Sequence, residues 1–397
     1  MSSSLLGLRR FLGVYYAYAF LFDCILAYAI YAALFELEGL SLAEIGTLLA
    51  FWSLTAIIFE MPSGAVSDHF DRRVLLVLAP LAKALTFVCW GMADGNFWIY
   101  GLGFLFWSLG QAMQSGSREA LLFERMAHEG REGDFDKVLG RDNAAEGLGI
   151  GFGTLLGGFV AWHDFGLAIW LSIPPLVVAA GLAFFLRDVR RLEKKSGEAT
   201  GSYLDHFRDA IAEFRMQPDL RFVTIYVAAG LIVFQLLEEF DQLFYLATSV
   251  PVWAWGLLGA FVEGAYALAS LFAYRLAGRP WLAWALPLLG GALLVASSIG
   301  GSPWSVLLLS AAYVVVAPAT VLAEARFQRI MEGRSRATTT SALVMVENLF
   351  GVVLTLAFGL LADWLGILPA YGWAGLCMLP LALWVVLGQR QGLRAID

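Results

Sequence analysis

The sequence predicts an all-α polytopic membrane protein with twelve transmembrane helices in two six-helix halves. Two properties of its composition indicate this class: 59% of the 397 residues are hydrophobic and only 15% are charged. Soluble domains contain roughly 45–50% apolar and about 25% charged residues, so a soluble enzyme could not bury this much apolar surface. The third observation is that the apolar residues form runs of about 20, the length that a helix needs to cross a bilayer.

Twelve such runs can be counted along the chain. We assign helices because helical backbone hydrogen bonds close within each segment, whereas barrel strands would be shorter and would alternate in polarity. The predicted spans are 11–33, 41–62, 74–92, 98–123, 142–161, 165–186, 222–246, 252–274, 281–299, 303–325, 338–361 and 371–388. The first span has no small-residue cleavage pattern, so we interpret it as a true span rather than a signal segment.

The basic residues predict how these spans are oriented. Arg9, the Arg72–Arg73 pair and Arg326 all fall on one side, whereas loops on the other side, such as 93–97, contain no Lys or Arg. Because basic loops stay in the cytoplasm, we expect a multi-pass protein of the inner or plasma membrane. Both termini are then cytoplasmic, as an even number of spans requires.

The longest hydrophilic stretch follows the sixth span and divides the chain. We predict an N-terminal half over 1–186, a cytoplasmic connector over 187–221 and a C-terminal half over 222–397. Residues 203–216 of the connector have the spacing of an amphipathic helix at the inner surface.

The two halves also echo each other weakly. Glu124 and Glu146 of the first half correspond to Glu324 and Glu347 of the second. A duplicated six-span layout is typical of a transporter whose substrate lies between the halves near the midplane.

A charged motif lies at the end of the second span and reads Glu60-Met-Pro-Ser-Gly64-Ala-Val-Ser-Asp68-His-Phe-Asp-Arg72-Arg73. It resembles the signature of the major facilitator superfamily between its second and third helices. Gly64 would let two helices approach closely, and Asp68 would act as a latch on a helix N-terminus or an arginine. The resemblance implies the major facilitator fold and transport by alternating access.

The motif departs from the family pattern at two positions, with His69 in place of a base and Asp71 in place of glycine. Near it we expect a cytoplasmic gate in which Glu60 and Glu119 form salt bridges with Arg118 or Arg72. The gate residues are Glu60, Gly64, Asp68, Arg72, Arg73, Arg118 and Glu119.

A second motif lies in the fifth span, where four glycines recur: Gly149, Gly153, Gly157 and Gly158. The stretch resembles the fifth-helix motif of drug:proton antiporters, with Thr154 in place of the expected proline, and this resemblance implies efflux. The alternative is a small-residue face that serves helix packing alone. The fourth-helix arginine motif of the same exporters is not visible, since Gln111-Ala-Met-Gln114-Ser-Gly occupies that stretch.

Ionisable residues at membrane depth are the main functional candidates. Each such group costs roughly 2.5–3.5 kcal/mol at the centre of a span, so most of them must face a cavity or be protonated. Glu263 is the first choice for a proton or cation site in the second half, and Glu347 competes with it. Asp23 is expected to pair with Lys83, because Lys83 and Arg118 are the only bases deep enough and both lie in the first half.

The second half therefore keeps several acids without a buried base, which suits proton carriage by carboxylates, a cationic substrate, or both. Aromatic residues such as Trp107 and Phe234 are candidates for the pocket wall, although packing is their commoner role. The candidate proton-coupling or substrate-binding residues are Asp23, Glu263, Glu347, Asn348, Glu238, Glu239, Asp241, Lys83, Gln111 and Gln114.

Other classes of chemistry find no support. The three cysteines lie in apolar runs and the four histidines in loops, which argues against a disulfide framework, a metal centre and a histidine relay. The phosphate-binding pattern G-x-x-x-x-G-K-[ST] does not occur, and a net charge of −7 argues against nucleic-acid binding. We expect no enzyme activity and no cofactor; the expected partners are a small-molecule substrate, protons and membrane lipid, for a monomeric protein.

The leading interpretation is export of a small amphiphilic or cationic compound in exchange for protons. Proton-coupled uptake of a small solute and translocation of lipid or lysolipid remain alternatives, because the same fold serves both directions. A receptor or scaffold that transports nothing is a further class. Acids buried at the centre of several helices argue against it, since a scaffold has no use for them.

Overall fold

The computed structural model describes residues 2–186, 217–330, 336–393 and 395–396, and these residues form helices without any β-strand. The predicted connector helix at 203–216 lies outside the described residues. The helices are α1 (Ser2–Asp23), α2 (Tyr31–Leu37), α3 (Leu42–His69), α4 (Arg72–Gly91), α5 (Phe97–His128), α6 (Phe135–Ala161), α7 (Phe165–Leu171), α8 (Ile173–Ala183), α9 (Pro218–Tyr226), α10 (Ile232–Ala247), α11 (Val252–Phe272), α12 (Leu282–Gly300), α13 (Ser305–Ile330), α14 (Arg336–Leu365), α15 (Ile367–Leu376) and α16 (Met378–Arg390).

Each of the twelve predicted spans coincides with one of these helices or with two consecutive ones. Within the described part of the chain, nine helical stretches are long and apolar enough to cross a membrane by length and composition. The other three predicted spans, the first, fourth and eighth, coincide with α1–α2, α5 and α11.

Four spans that the sequence predicts as continuous are each divided between two helices: the first, the sixth, the seventh and the twelfth. The first stops at Asp23, passes through a short 3-10 turn and resumes at Tyr31. The sixth is interrupted at Ser172, just before two prolines, which lack the N–H that continues a helix. The Ser172 hydroxyl accepts a hydrogen bond from the Ala27 amide (3.0 Å). The residue at which the sixth span breaks therefore binds a backbone N–H group that the break in the first span leaves without a helical partner.

The chain forms two compact units. Unit 1 consists of residues 1–40, 51–196 and 251–260, and unit 2 consists of residues 41–50, 197–250 and 261–397.

Aromatic side chains fill much of the core of unit 1. Phe35 and Tyr100 have ring centroids 4.0 Å apart, and Trp90 and Phe104 have centroids 4.9 Å apart. The Trp90 indole donates to the Tyr100 carbonyl oxygen at 3.2 Å, which satisfies its polar atom inside the core. This aromatic cluster packs α2, α4 and α5 against one another.

The glycines of α6 lie directly against the broken first span. A methyl group at Gly149, Gly153 or Gly157 would overlap backbone atoms of residues 20–26. Gly158 faces another helix, because a methyl group there would lie 3.0 Å from the Gly256 amide nitrogen of α11, also in unit 1. The small residues therefore allow α6 to approach two neighbouring backbones.

In unit 2, aromatic side chains join α10, α14 and α15. Phe240 and Phe358 have ring centroids 4.8 Å apart, and Phe244 and Tyr371 have centroids 4.9 Å apart. Residues 42–50 of α3 also belong to this unit. Gly46 lies so close to Gly359 of α14 that a methyl group on either glycine would lie 2.7 Å from the Cα atom of the other.

We expect Gly153→Ala to lower the free energy of unfolding by about 1–3 kcal/mol, the usual cost of overpacking. The added methyl group would sit 2.8 Å from the Ile25 carbonyl oxygen and force α6 away from the first span. Thermal unfolding of the purified protein in detergent measures the change. Gly151→Ala is the matched control, because a methyl group there meets nothing within 4 Å and alanine favours the helix. Equal melting temperatures for the two variants would contradict this account of the packing.

Candidate functional site

A cleft in unit 2 lies among α10, α11 and α13, and its volume, including the open mouth, is about 360 Å³. Among the described residues, Glu238 is the one acid that lines it; its side chain is exposed, as is that of Gln235, while the rest of this lining is mostly apolar or aromatic. The lining residues are Leu231, Phe234, Gln235, Glu238, Val262, Tyr266, Tyr313, Val316, Ala317 and Thr320. The cleft thus presents one carboxyl group on a largely apolar wall.

One turn beyond Glu238, Asp241 is buried and bound by tyrosine hydroxyls. Tyr313 and Tyr371 lie with their hydroxyl oxygens 2.6 and 2.8 Å from Asp241 Oδ1, and the Tyr245 hydroxyl lies 3.4 Å from Oδ2. The sequence places Glu238, Asp241 and Gln242 on one face of the span. The structure separates them, because Glu238 opens into the cleft while Asp241 and Gln242 are buried.

The two units neutralise their buried charges differently. Among the residues whose burial is described, the buried bases are Arg72, Lys83 and Arg118, and all three belong to unit 1. Asp241 is the buried charged residue of unit 2, and its described hydrogen-bond partners are hydroxyl groups. A cation or a proton would therefore relieve the cost of negative charge in unit 2.

The predicted ion pair between Asp23 and Lys83 is present in unit 1. Lys83 Nζ lies 2.8 Å from Asp23 Oδ1, and the Tyr28 hydroxyl donates to the same oxygen at 2.8 Å. The ammonium group also lies over the rings of Phe22 and Trp107, at 4.2 and 5.2 Å from their centroids. Asp23 Oδ2 is buried and has no hydrogen-bond partner among the described residues, so this carboxyl group keeps one open acceptor at the helix break.

Arg118 is shared by two acids of α6. Its guanidinium lies 3.0 Å from Asp142 Oδ2 and also contacts Glu146, while the Tyr15 hydroxyl donates to the Arg118 carbonyl oxygen at 3.2 Å. The expected partner of Glu60 and Glu119 is Arg118 or Arg72; among the described ion pairs, Arg118 binds Asp142 and Glu146, and Arg72 binds Glu124. Glu60 accepts from the Ser115 hydroxyl at 2.9 Å, and Glu119 is exposed while Arg118 is buried.

Arg72 of the charged motif pairs with Glu124, their atoms 2.7 Å apart. Asp71, which replaces the family's glycine, accepts from the Arg73 amide at 2.9 Å and caps α4. Its backbone has φ −64°, which any residue can adopt, so the structure does not need glycine there. The guanidinium of Arg73 lies 5.6 Å from the centre of the Phe184 ring. The surroundings of Gly64 and the side chain of Asp68 lie outside what the structure describes.

The remaining candidates lie on several helices of the two units. Glu263 is exposed on α11 and is not among the residues that line the cleft, although its neighbours Val262 and Tyr266 are. The positions of the others are as follows: Glu239 and Gln111 are half-buried, Gln114 is buried, Asn348 is exposed, and the side chain of Glu347 lies outside the described residues.

Sequence reasoning missed Asp142, Tyr313 and Tyr371. Asp142 stood at the predicted start of a span, but α6 begins at Phe135, which places Asp142 two turns inside the helix. Its spacing of four residues from Glu146 is a signal that could have been used, since such positions share a helix face. The tyrosines carry no such signal, because they lie 72 and 130 residues from Asp241 and only the fold brings them together.

Residues 12–328 match the sequence profile described as Major Facilitator Superfamily, which covers most of the chain. The chain belongs to the Major Facilitator Superfamily. It is accordingly a multi-pass membrane transporter rather than an enzyme.

Several relatives of this superfamily member are named for drug resistance or transport. It is 25% identical over 245 residues to "Tetracycline resistance protein, class B" of Escherichia coli, a match that covers 60% of this chain and 57% of that protein. It is 28% identical over 117 residues to "Multidrug resistance protein MdtH" of Proteus mirabilis (strain HI4320), covering 30% and 28%. For "Inner membrane transport protein YajR" of Escherichia coli (strain K12), the identity is 26% over 173 residues, covering 42% and 36%. The matched segments therefore cover between about a quarter and little more than half of the length of each of these relatives.

Solved structures show the same fold. The nucleoside transporter NupG has a TM-score of 0.78 and 13% identity, covering 95% of this chain and 98% of its own. A bacterial homologue of the human lysosomal transporter Spinster, inward-facing and occupied, has a TM-score of 0.70 and 15% identity, covering 98% and 97%. Identities this low support the major facilitator fold and nothing more specific.

We expect Lys83→Met to lower the free energy of unfolding by about 3–5 kcal/mol, because it leaves the Asp23 charge buried without its base. Adding Asp23→Asn to the same chain should restore most of that loss by removing both charges. Chemical unfolding of the purified protein provides the comparison. The exposed pair of Arg131 and Asp134 is the control, and Arg131→Gln should change stability by about 1 kcal/mol or less. A double variant no more stable than Lys83→Met would contradict the structural role of the pair.

Proposed function

We propose that this superfamily member exports a small cationic or amphiphilic compound in exchange for protons, by alternating access. One observation carries the proposal: the exposed Glu238 carboxyl group lies in a cleft of unit 2 that is lined by aromatic residues. The residues of unit 2 whose burial is described include no buried Lys or Arg.

A lipophilic cation suits this cleft in two ways. The Glu238 carboxylate attracts its charge, and this attraction is stronger than in water because the surrounding walls have low polarity. The rings of Phe234, Tyr266 and Tyr313 offer apolar contact and cation–π attraction to the same ligand. A neutral sugar would find few polar partners on this wall.

A proton can neutralise the same carboxylate, so proton and cation would compete for Glu238. Competition of this kind is the simplest basis for antiport: a proton that enters from one side displaces the cation, and the cation displaces the proton on the other. Asp23, with its open oxygen beside Lys83, is a second candidate for proton exchange in unit 1.

The names of the relatives support the direction of transport. Tetracycline and multidrug resistance are the printed descriptions of proteins that share 25–28% identity with parts of this chain. The glycine motif of α6, which resembles that of drug:proton antiporters, points the same way.

The placement in the cell is part of the proposal. The basic loops support an inner-membrane protein with both termini in the cytoplasm, divided into halves at 1–186 and 222–397 around the 187–221 connector, and acting as a monomer. The pairs Arg72–Glu124 and Arg118–Asp142 would then lie at the cytoplasmic side and serve as a gate.

The test uses inside-out vesicles with a pH-sensitive dye and the fluorescent cation ethidium as probe. Ethidium should cause proton release from vesicles that contain the wild-type protein. Glu238→Gln should lower the apparent affinity for ethidium by roughly 10- to 100-fold, since a hydrogen bond to a charged group is worth about 1.5–3 kcal/mol. Glu263→Gln should have a smaller effect, because Glu263 does not line the cleft.

Glu132→Gln, an exposed substitution in the loop before α6, is the control for a general effect of losing one acid. Proton release by ethidium that is equal in Glu238→Gln and wild type would refute the role of the cleft. Co-movement of protons and probe in the same direction would favour uptake over export. An absence of any proton response, with transport of a fluorescent lysolipid instead, would favour lipid translocation.

A further inference from the structure

Tyr313 belongs to two parts of unit 2 at once. Its side chain lines the cleft that contains Glu238, and its hydroxyl lies 2.6 Å from Asp241 Oδ1 behind that wall. A separation of 2.6 Å falls in the range of a hydroxyl donating to a carboxylate. Tyr313 therefore faces the cleft that contains Glu238 and also binds the buried carboxyl group of Asp241.

The hydrogen bonds around Asp241 can satisfy both of its protonation states. The Tyr371 hydroxyl lies 2.8 Å from Asp241 Oδ1 and also 2.8 Å from the carbonyl oxygen of Leu237. A hydroxyl has one proton to donate and can also accept. When Asp241 is ionised, Tyr371 donates to it; when Asp241 is protonated, Tyr371 turns its proton to Leu237 and accepts from Asp241 Oδ1.

This exchange moves hydrogen atoms and leaves the heavy atoms in place. Most buried carboxyl groups are held by partners that suit one protonation state, so a change of state leaves a polar atom unsatisfied. Asp241 has a partner with an alternative acceptor at the same distance. A site with this property can gain and lose a proton at little structural cost.

The other titratable groups near Asp241 carry no positive charge in the described part of the chain. Its own helix contributes Glu238, Glu239 and Tyr245. The neighbouring helices contribute Tyr313 from α13 and Tyr371 from α15, and Glu263 and Tyr266 on α11 lie around Glu238. The surroundings of Asp241 are thus acidic or neutral.

We propose that Asp241 is a second proton-binding site, which exchanges its proton with the Glu238 cleft through the Tyr313 hydroxyl. The inference deepens the proposed function and rests on it in one respect, namely that the cleft exchanges protons during transport. Tyr313 acts as a positioning and relay residue between the two carboxyl groups.

The proton transfer balances at each atom. The Tyr313 O–H bond breaks as its proton passes to Asp241 Oδ1, and a new O–H bond forms at Tyr313 with the proton that leaves the Glu238 carboxylic acid, which becomes a carboxylate. Tyr313 is neutral before and after, Asp241 changes from carboxylate to carboxylic acid, and the cleft loses one proton. A cation in the cleft would displace the Tyr313 ring or its proton donor and so interrupt this exchange.

The test is time-resolved infrared difference spectroscopy of the purified full-length protein after a pH jump, with no transported compound present. The protonated carboxyl band assigned to Asp241 is the one that Asp241→Asn removes. Tyr313→Phe should keep this band at equilibrium and slow its appearance on the order of a hundredfold, the usual contribution of a positioned proton-transfer group. A merely structural role for Tyr313 would leave the rate unchanged.

Tyr226→Phe is the matched control. Tyr226 is also fully buried in unit 2, and its hydroxyl has no hydrogen-bond partner among the described residues, so this substitution should leave the rate unchanged. If Asp241→Asn does not fold, the rate in Tyr313→Phe still decides the matter, because the band can be assigned by isotope-labelled aspartate. An Asp241 band absent from wild type at every pH would overturn the proposal.

The outcomes separate this inference from the antiport proposal. Ethidium-driven proton release that needs Glu238, together with an unchanged rate in Tyr313→Phe, would overturn the relay and leave antiport standing. A slowed Asp241 band in Tyr313→Phe, together with no proton release by ethidium in the wild type, would support the relay and overturn antiport. Ethidium added to wild type should itself slow the Asp241 band, and failure to do so would overturn the link to the cleft.

Discussion

The cost of a charge in an apolar medium is the constraint on which the structure depends. A polar group that leaves water needs a partner, and a charged group needs a stronger one. Unit 1 meets this need with bases: Lys83 beside Asp23, and Arg118 beside Asp142 and Glu146. Unit 2 meets it at Asp241 with hydroxyl groups, which tolerate a carboxylate and a carboxylic acid alike.

The broken first span follows from the same constraint. A helix that stops at Asp23 frees backbone groups, and these are satisfied within the protein, for example by the Ser172 hydroxyl. The glycines of α6 let that irregular backbone be covered closely, because larger side chains would keep the two segments apart. The break therefore places the Asp23 carboxyl group next to Lys83 inside unit 1, with one carboxyl oxygen that has no hydrogen-bond partner among the described residues.

Much of the fold could be predicted from the chain, because bilayer thickness sets the length of an apolar run and the bases mark its ends. The pair of Asp23 and Lys83 was predictable for a related reason: buried bases are few, so a buried acid has few possible partners. The partners of Arg118 were not predictable in this way. Several acids lie near that end of α5, and the sequence favoured Glu60 and Glu119 over Asp142 and Glu146.

The sequence by itself determined the class of protein, its helices, the superfamily and the surplus of acids in the second half, since these depend on composition and on local spacing. Tertiary structure decided which acid faces the cleft and which is buried. Glu238 and Asp241 are three residues apart on one helix, and their different surroundings come from α11, α13 and α15. Such contacts join residues far apart in the chain, and no periodicity along a single helix can specify them.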